Sequence, residues 1–324
     1  MAVEGCGNVV VGKTSFFSSA LRDLVYNPAT KTAKATPRTH DTQTTIAALS
    51  GGRYMEVLPP DVEPIRALLT GYSGIRPEDV DRHVYGIRDK LWDVYPYSCV
   101  GLFRFASLDF VADAYYQVAL FRLLQAEASS TTDQTRLLDV GCCVGQLVRK
   151  LAFDGVDSAR LYGTDIEPRL LDIGYDLFRD RGKFKGSFIT GDFLRHDELD
   201  DLDALHGKMT FIHATSFFHL FTWAEQLRVA TRMVQLLDPD RPDVMIFGRH
   251  VGTMQPRPGG GNAKAGSDKV YLHNAETWQM LWDQVGELTG TKWSVTMEPI
   301  EKIQIDTGGV DSSLRKMLFC VMRA

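Results

Sequence analysis

The sequence predicts an α/β fold: a doubly wound, mostly parallel sheet of seven strands preceded by an N-terminal helical cap. Two observations predict it. From about residue 136 onward, short apolar runs alternate with amphipathic helical stretches, and such alternation builds a parallel sheet with helices on both faces. Ahead of that region, between about 60 and 127, apolar residues recur at helical spacing instead. The chain has 324 residues, 44% of them hydrophobic and 24% charged, which are the proportions of an ordinary globular protein. Its length allows two units, or one large domain with an extension.

Residues 1–60, rich in Thr, Ser, Ala and Gly, predict a loosely ordered leader with a short helix at Ser18–Tyr26. Residues 61–130 form the expected cap. Val80, Val84, Ile87 and Leu91 line one helical face, and a second helix is expected at Phe110–Glu127. Between them, WDVYPYSCVGLFRF (Trp92–Phe105) is interrupted by Pro96 and Gly101 and is expected to form a surface that meets a ligand or partner. A polar linker at Ser129–Thr135 leads into the sheet domain, residues 131–324. Strands are expected at Arg136–Val140, Arg160–Thr164, Ser187–Thr190, Lys208–Ala214, Val244–Gly248, Trp293–Met297 and Met317–Met322. Val144, Leu147, Val148, Leu151 and Ala152 mark the first intervening helix; others are expected at Pro168–Arg179, Trp223–Leu237 and Glu276–Thr289. Ligands of such folds bind beyond the carboxyl ends of the strands, where strand order reverses.

Charge and cysteine usage narrow the function. With 36 Lys+Arg against 41 Asp+Glu and no basic run, nucleic acid is not an expected partner. The first residues have no basic segment leading into a long apolar core, and no run of about 18 apolar residues occurs, so a cytoplasmic protein without a membrane span is expected. The five cysteines include an adjacent pair and suit free thiols. No CxxC pair or Cys/His cluster calls for a metal. A homodimer is compatible with all of this.

Two glycine-rich segments point to different chemistries. GNVVVGKT (Gly7–Thr14) matches the phosphate-loop pattern G-x-x-x-x-G-K-[ST]. That loop needs a buried strand to deliver it, and the residues just before Gly7 include Glu4, Gly5 and Cys6. A chance match is expected. LLDVGCCVG (Leu137–Gly145) stands after the first strand and opens a helix. Cys143 and Gln146 occupy glycine positions of the dinucleotide fingerprint, and Asp139 would repel a pyrophosphate. A ligand with a cationic sulfonium and an amino-acid end meets no such objection. Asp139, Gly141, Cys143 and Gly145 are therefore candidate cofactor residues. Asp165, ending the second strand, is placed to accept hydrogen bonds from ribose hydroxyls, with Ile166 beside it. Asp192 and Phe193, after the third strand, would meet an adenine amino group and its face.

This ordered set resembles the class I S-adenosyl-L-methionine (SAM)-dependent methyltransferases over about Thr135–Ala324. Their glycine loop usually reads D/E-x-G-x-G-x-G, and Cys143 stands at its middle glycine. The resemblance implies a Rossmann-like methyltransferase sheet, SAM as methyl donor and S-adenosyl-L-homocysteine as product. WDVYPYSCVGLFRF, LLDVGCCVGQLVRKLAFDG, LYGTDIEPRLLDIGYDLFRD, FFHLFTWAEQ and LHNAETWQMLW are similar to the fungal secondary-metabolism methyltransferases of meroterpenoid pathways, over most of Asp79–Trp293. For such enzymes the resemblance implies O-methyl transfer to a hydrophobic polyketide–terpene acid, forming a methyl ester. Residues 1–60 carry none of it.

Methyl transfer from a sulfonium is an in-line displacement, so alignment supplies most of the catalysis. A carboxylate acceptor needs no base, whereas an alcohol or phenol wants one in hydrogen-bond reach. His219 and His273 are the candidates to take a proton or position the acceptor; His219 could equally cap the next helix, and His273 could lie at the surface. Candidate substrate contacts are Trp92, Tyr97, Arg104, Trp223, Arg249 and His250. Tyr95, Phe103 and Phe105 could join Trp92 and Tyr97 over an apolar pocket, although plain packing explains them as well. Arg104 would reach the cofactor carboxylate or the substrate acid. Arg249 would hold an acidic substrate or form a helix-end salt bridge. His213 is expected to be a buried, hydrogen-bonded core residue. The long segment Thr253–Asp268 is expected as a lid or a disordered loop. Two alternatives stay open: a hydroxyl acceptor, and a non-methylating SAM-binding cyclase or binding protein on the same scaffold. Amino-group methylation of nucleic acid is disfavoured, because no [DN]-P-P-[YF] segment follows the fourth strand.

Overall fold

The computed structural model describes residues 54–129, 134–195, 200–256, 270–302 and 313–324. GNVVVGKT, the helix expected at Ser18–Tyr26 and most of Thr253–Asp268 lie outside them. The cap holds helices α1 (Glu63–Gly71), α2 (Pro77–Val94), α3 (Ser98–Gly101) and α4 (Ala114–Ser129). There follow β1 (Leu137–Val140), α5 (Gln146–Phe153), β2 (Leu161–Asp165), α6 (Pro168–Phe178), β3 (Ser187–Thr190) and β4 (Phe211–His213). The chain continues with α7 (Trp223–Leu236), β5 (Met245–Thr253), α8 (Ala275–Thr289), β6 (Trp293–Lys302) and β7 (Leu314–Arg323).

The seven strands form one sheet in the order β3-β2-β1-β4-β5-β7-β6. The first five strands are parallel, while β7 inserts antiparallel between β5 and β6. Strand order therefore reverses between β1 and β4, and the crevice above that point is where such a fold binds its ligand. Alternation of side chains divides the strands between two cores. Leu137, Phe211 and Met245 join the core under the cap, α5 and α6, while Leu138, Ile212 and Ile246 join the one under α7 and α8.

Several elements differ from the sequence expectation, each for a local reason. β5 runs on to Thr253 because it pairs with β7 from Met245↔Met322 to Thr253↔Leu314. β4 is shorter than Lys208–Ala214 because the N–H groups of Gly207, Lys208 and Met209 are taken by carbonyls at the end of α7. The helix expected from Phe110 begins at Ala114. A 3-10 turn at Asp109–Ala112 precedes it, and Asp113 between them is extended (φ −74°, ψ 133°).

The cap is packed onto the sheet domain. α2 lies along α6, with His83 Nε2 2.9 Å from the Leu177 carbonyl and Lys90 paired to Asp176. Buried Arg88 donates to the Met55 carbonyl and lies over the rings of Tyr54, Tyr85 and Phe103. The aromatic stretch expected to form a surface is divided: Trp92, Val100, Phe103 and Phe105 are buried, Tyr95 and Tyr97 are half-buried, and Cys99 and Arg104 are exposed. Tyr54 packs edge-on against Trp92, and the Met55 N–H bonds the Gly101 carbonyl, so the chain from Tyr54 on packs with the cap.

Candidate functional site

The three motifs lie where the sheet topology brings their ends together. β1 delivers the glycine loop, whose turn is held by two bonds, Cys142 N–H to the Thr164 carbonyl and Gly145 N–H to the Cys142 carbonyl. Gly141, Cys143 and Gly145 all have positive φ (65°, 52° and 64°). A side chain at Gly145 would meet Phe188 at 2.5 Å and Arg149 at 2.6 Å, so glycine is required there on two counts. Cys143 holds the left-handed conformation despite its Cβ, at a cost of about 1–2 kcal/mol. Its N–H donates to Asp165 Oδ2 at 2.9 Å, which ties the loop to the end of β2.

Asp165 also accepts from the Glu167 N–H at 3.2 Å. Burial raises its carboxyl pKa above the ordinary value, opposed by the N–H groups of Glu167, Cys143 and Ile166. The side chain of Ile166 beside it is open, 63% exposed. After β3, Asp192 caps its own turn through Leu194 N–H, and Phe193 is buried edge-on against Phe217. Buried Arg232 of α7 donates to the carbonyls of Asp192 and Arg195 and pairs with Asp200, and so holds this loop from below. The ring of Phe217 lies over the glycine loop, 3.0 Å from where a Gly141 Cβ would be.

The register pairs Asp139 of β1 with His213 of β4 across the point of strand reversal. His213 Nδ1 lies 2.7 Å from Asp139 Oδ1, and its Nε2 lies 2.8 Å from Thr215 Oγ1. From the cap, Cys99 stands beside the loop. Surrounding protein pushes that thiol up to about 11. Burial, then the Cys99 sulfur and the Asp165 carboxylate, push the Cys143 thiol well above its ordinary value. Acceptor oxygens of Asp139 and Asp165, an open Ile166 and a glycine loop whose neighbouring Arg149 guanidinium is taken up by Asp180 and the Val144 carbonyl fit a ligand with a sulfonium, an ammonium and a ribose. Asp139, Gly141, Cys143, Gly145, Asp165, Ile166, Asp192 and Phe193 would hold it.

The acceptor side requires more correction. His219 is buried on a short 3-10 turn after β4 (Phe218–Leu220); its Nδ1 accepts the Val251 N–H at 3.3 Å, and burial lowers its pKa to about 4. His273 is buried with both ring nitrogens engaged, Nδ1 by Thr277 Oγ1 at 3.1 Å and Nε2 by Gln226 Oε1 at 2.9 Å, and burial lowers its pKa to about 3. It braces the entry to α8 and has no free lone pair for an acceptor proton. His250 is enclosed by Phe218, Trp278, Phe319 and His273, so it is a core residue rather than a substrate contact.

Arg249 is committed to the cap: its guanidinium spans Asp113 bidentately and reaches Asp109 Oδ2 at 2.7 Å. The salt-bridge account holds for it, and it is not available to an acidic substrate. Trp92 is held under Tyr54, and Trp223 packs on Tyr271 and His273 while its Nε1 donates to Gln284, so neither faces a ligand. Tyr97 is half-buried and stacked on Tyr95. Arg104 is exposed, and its guanidinium has no bond to another described residue. It lines a cavity of about 360 Å³ with Met55, Pro60, Val62, Leu102 and Phe103. Sequence reasoning placed His213 in the core as a hydrogen-bonded residue, where it lies, and did not name Thr215, Phe217, Cys99 and Arg232, which stand beside the candidate site. Only the position of His213 and Thr215 at the end of the fourth strand could have pointed to them.

Known proteins match along the same lines. Residues 54–106 match the model of the meroterpenoid methyltransferase N-terminal domain, and residues 137–240 match that of the methyltransferase domain. The chain is 39% identical over 263 residues to O-methyltransferase phiE of Fungal sp. (strain ATCC 74256), covering 79% of this chain and 83% of that protein. It is 35% identical over 233 residues to the asnovolin E/chermesin D methyltransferase nvfJ of Aspergillus novofumigatus, covering 72% of this chain and 80% of that protein. Methyltransferase trt5 of Aspergillus terreus is 34% identical over 246 residues, covering 75% and 83%. With its cap and its catalytic domain both matched, the chain belongs to the SAM-dependent methyltransferases of fungal meroterpenoid-type secondary metabolism.

Proposed function

We propose that the enzyme transfers the methyl group of SAM to a carboxylate on a hydrophobic fungal metabolite and releases a methyl ester. The observation that carries this is the Val251 N–H donated to His219 Nδ1. Its Nδ1 lone pair accepts the Val251 N–H, and burial keeps the ring neutral at pH 7, so its one proton sits on Nε2. His219 is then a hydrogen-bond donor to the acceptor, where a hydroxyl substrate would want a base. His273, with both nitrogens engaged, supplies no base either. A carboxylate needs none: one oxygen attacks in line while the other accepts the Nε2–H.

SAM supplies an electrophilic methyl group on a sulfonium. The chain's own contribution is to align the acceptor and keep it from turning. The cap, residues 61–130, would cover the acceptor, and Arg104 at its cavity would attract the acid. No described helix is long and apolar enough to cross a membrane, and a cytoplasmic enzyme acting on a small molecule accords with that. Whether the enzyme works as a monomer or a homodimer would be read from the mass in solution by light scattering.

The test is to incubate the enzyme with labelled SAM and a fungal metabolite extract. The expected product gains one methyl and loses it again on alkaline hydrolysis. An alkali-stable methyl ether would reject the carboxylate and favour the hydroxyl acceptor.

A further inference from the structure

We propose that Gln226 is a positioning residue for methyl transfer: its side-chain amide closes a circuit of hydrogen bonds that holds His219 toward the acceptor. The inference rests on His219 as the residue that meets the acceptor, and not on which oxygen takes the methyl group.

Gln226 is fully buried on α7 and shares its helix face with Val229, Ala230 and Met233 of the apolar core. A leucine there would be buried without polar cost, so the amide depends on its partners. They come from three separate places. Nε2 donates to the Phe221 carbonyl at 3.1 Å and to the Tyr271 carbonyl at 2.9 Å, which spends both amide protons. Carbonyls only accept, so the amide has one orientation, with Oε1 facing His273 Nε2 at 2.9 Å. That ring nitrogen therefore carries the proton. Burial keeps His273 neutral, and its Nδ1 is left as a lone pair beside Thr277 Oγ1, 3.1 Å away.

From His273 the connection returns to His219. The His273 carbonyl accepts the Thr253 N–H at 2.9 Å, at the end of β5. Two residues earlier on that strand, the Val251 N–H donates to His219 Nδ1 at 3.3 Å. His219 stands two residues before Phe221, on a turn closed by Leu220 N–H to the Phe217 carbonyl and Phe221 N–H to the Phe218 carbonyl. The circuit His219–Val251–Thr253–His273–Gln226–Phe221 is thus complete, with Tyr271 N–H to the Phe221 carbonyl at 2.9 Å running beside it. Gln226 is the member that joins the His219 turn to the entry of α8 through a side chain. A closed polar circuit rigidifies the segments it joins, whereas one bond of 3.3 Å leaves the ring free to swing. In-line transfer is sensitive to such motion, since a displacement near 1 Å costs on the order of 100-fold.

The test uses the full chain with 15N-labelled histidine and two variants. Gln226→Met keeps the length and apolar volume and removes all three bonds. Gln226→Glu keeps an acceptor for His273 and, when protonated, one donor for a carbonyl; a carboxyl buried there titrates above its ordinary range. At pH 7.5 the native His219 ring should show one bare and one protonated nitrogen by NMR. In Gln226→Met the two signals should average, and methyl transfer from saturating labelled SAM into a fungal metabolite extract should fall about tenfold. S-adenosyl-L-homocysteine affinity by calorimetry should change less than twofold. Transfer by Gln226→Glu should be intermediate and rise as pH is lowered from 8.5 to 7. An unchanged His219 signature in Gln226→Met overturns the proposal. So does S-adenosyl-L-homocysteine affinity lost in step with transfer, which marks a merely structural role. If Gln226→Met does not fold, transfer by Gln226→Glu that is flat in pH overturns it. Averaged signals with full transfer would reject His219 as the residue that meets the acceptor, and the proposal with it. The loss is a ratio on whatever product forms, so an ether would reject the carboxylate and leave this result standing.

Discussion

Acidification should unfold this protein well above the range in which carboxylates titrate, because three neutral histidines are buried together. Burial lowers His219 to about 4 and His273 to about 3, and it pushes His250 well below its ordinary value, with the neighbouring His273 and His219 adding to the effect. In the unfolded chain each returns to about 6.5. A histidine depressed in the folded state contributes stability that is complete above pH 6.5 and is lost as pH falls, since the unfolded chain then binds more protons. The slope is about 1.4 kcal/mol per pH unit for each histidine, so roughly 4 kcal/mol per unit for the three together. Between pH 6.5 and 5, as the unfolded rings go from half to almost fully protonated, that integrates to about 5 kcal/mol, comparable to the whole stability of a domain. Asp165 works the other way: its raised carboxyl pKa makes the folded state bind protons more readily, adding stability as pH falls into its range.

Urea denaturation followed by tryptophan fluorescence at pH 7.5, 6.5, 5.5 and 5.0 reads this directly. The expected midpoint is flat above pH 7 and falls steeply below 6.5. His273→Gln should remove about a third of the slope at any cost in absolute stability. Midpoints unchanged down to pH 5, or an unaltered slope in that variant, would refute the burial argument for these rings.

Removing one partner of the buried Arg249–Asp113 pair, by Asp113→Ala, should cost about 3–5 kcal/mol and lower the melting temperature by roughly 10 °C; a shift under 2 °C in calorimetry would show the pair to be dispensable. Cys143→Gly should stabilise the protein by about 1 kcal/mol, because the left-handed backbone there no longer carries a Cβ; a lower melting temperature would contradict it. Asp165→Ala removes the acceptor of both Cys143 N–H and Glu167 N–H, and SAM affinity measured by calorimetry should fall at least tenfold. Unchanged affinity would remove Asp165 from the site.

The sequence by itself determined the fold class and the glycine loop between the first strand and its helix. Both are written in local periodicity and in short motifs whose chemistry is complete within a few residues: glycine where backbone must turn, an acid at each strand end. The four described cysteines are free, as expected. Tertiary structure decided which side chains remain available for chemistry, because that depends on partners far along the chain. Arg249 looked free at a strand end and is consumed by Asp113, 136 residues earlier. His273 looked like a base and is satisfied by Gln226 from another helix. His213 is the buried, hydrogen-bonded residue the sequence led one to expect, but its partner Asp139, 74 residues away across the strand reversal, was not legible there. Hydrogen bonds between distant residues leave no periodicity or spacing in a sequence; only the register of β1 against β4 and the docking of the cap bring those partners into contact.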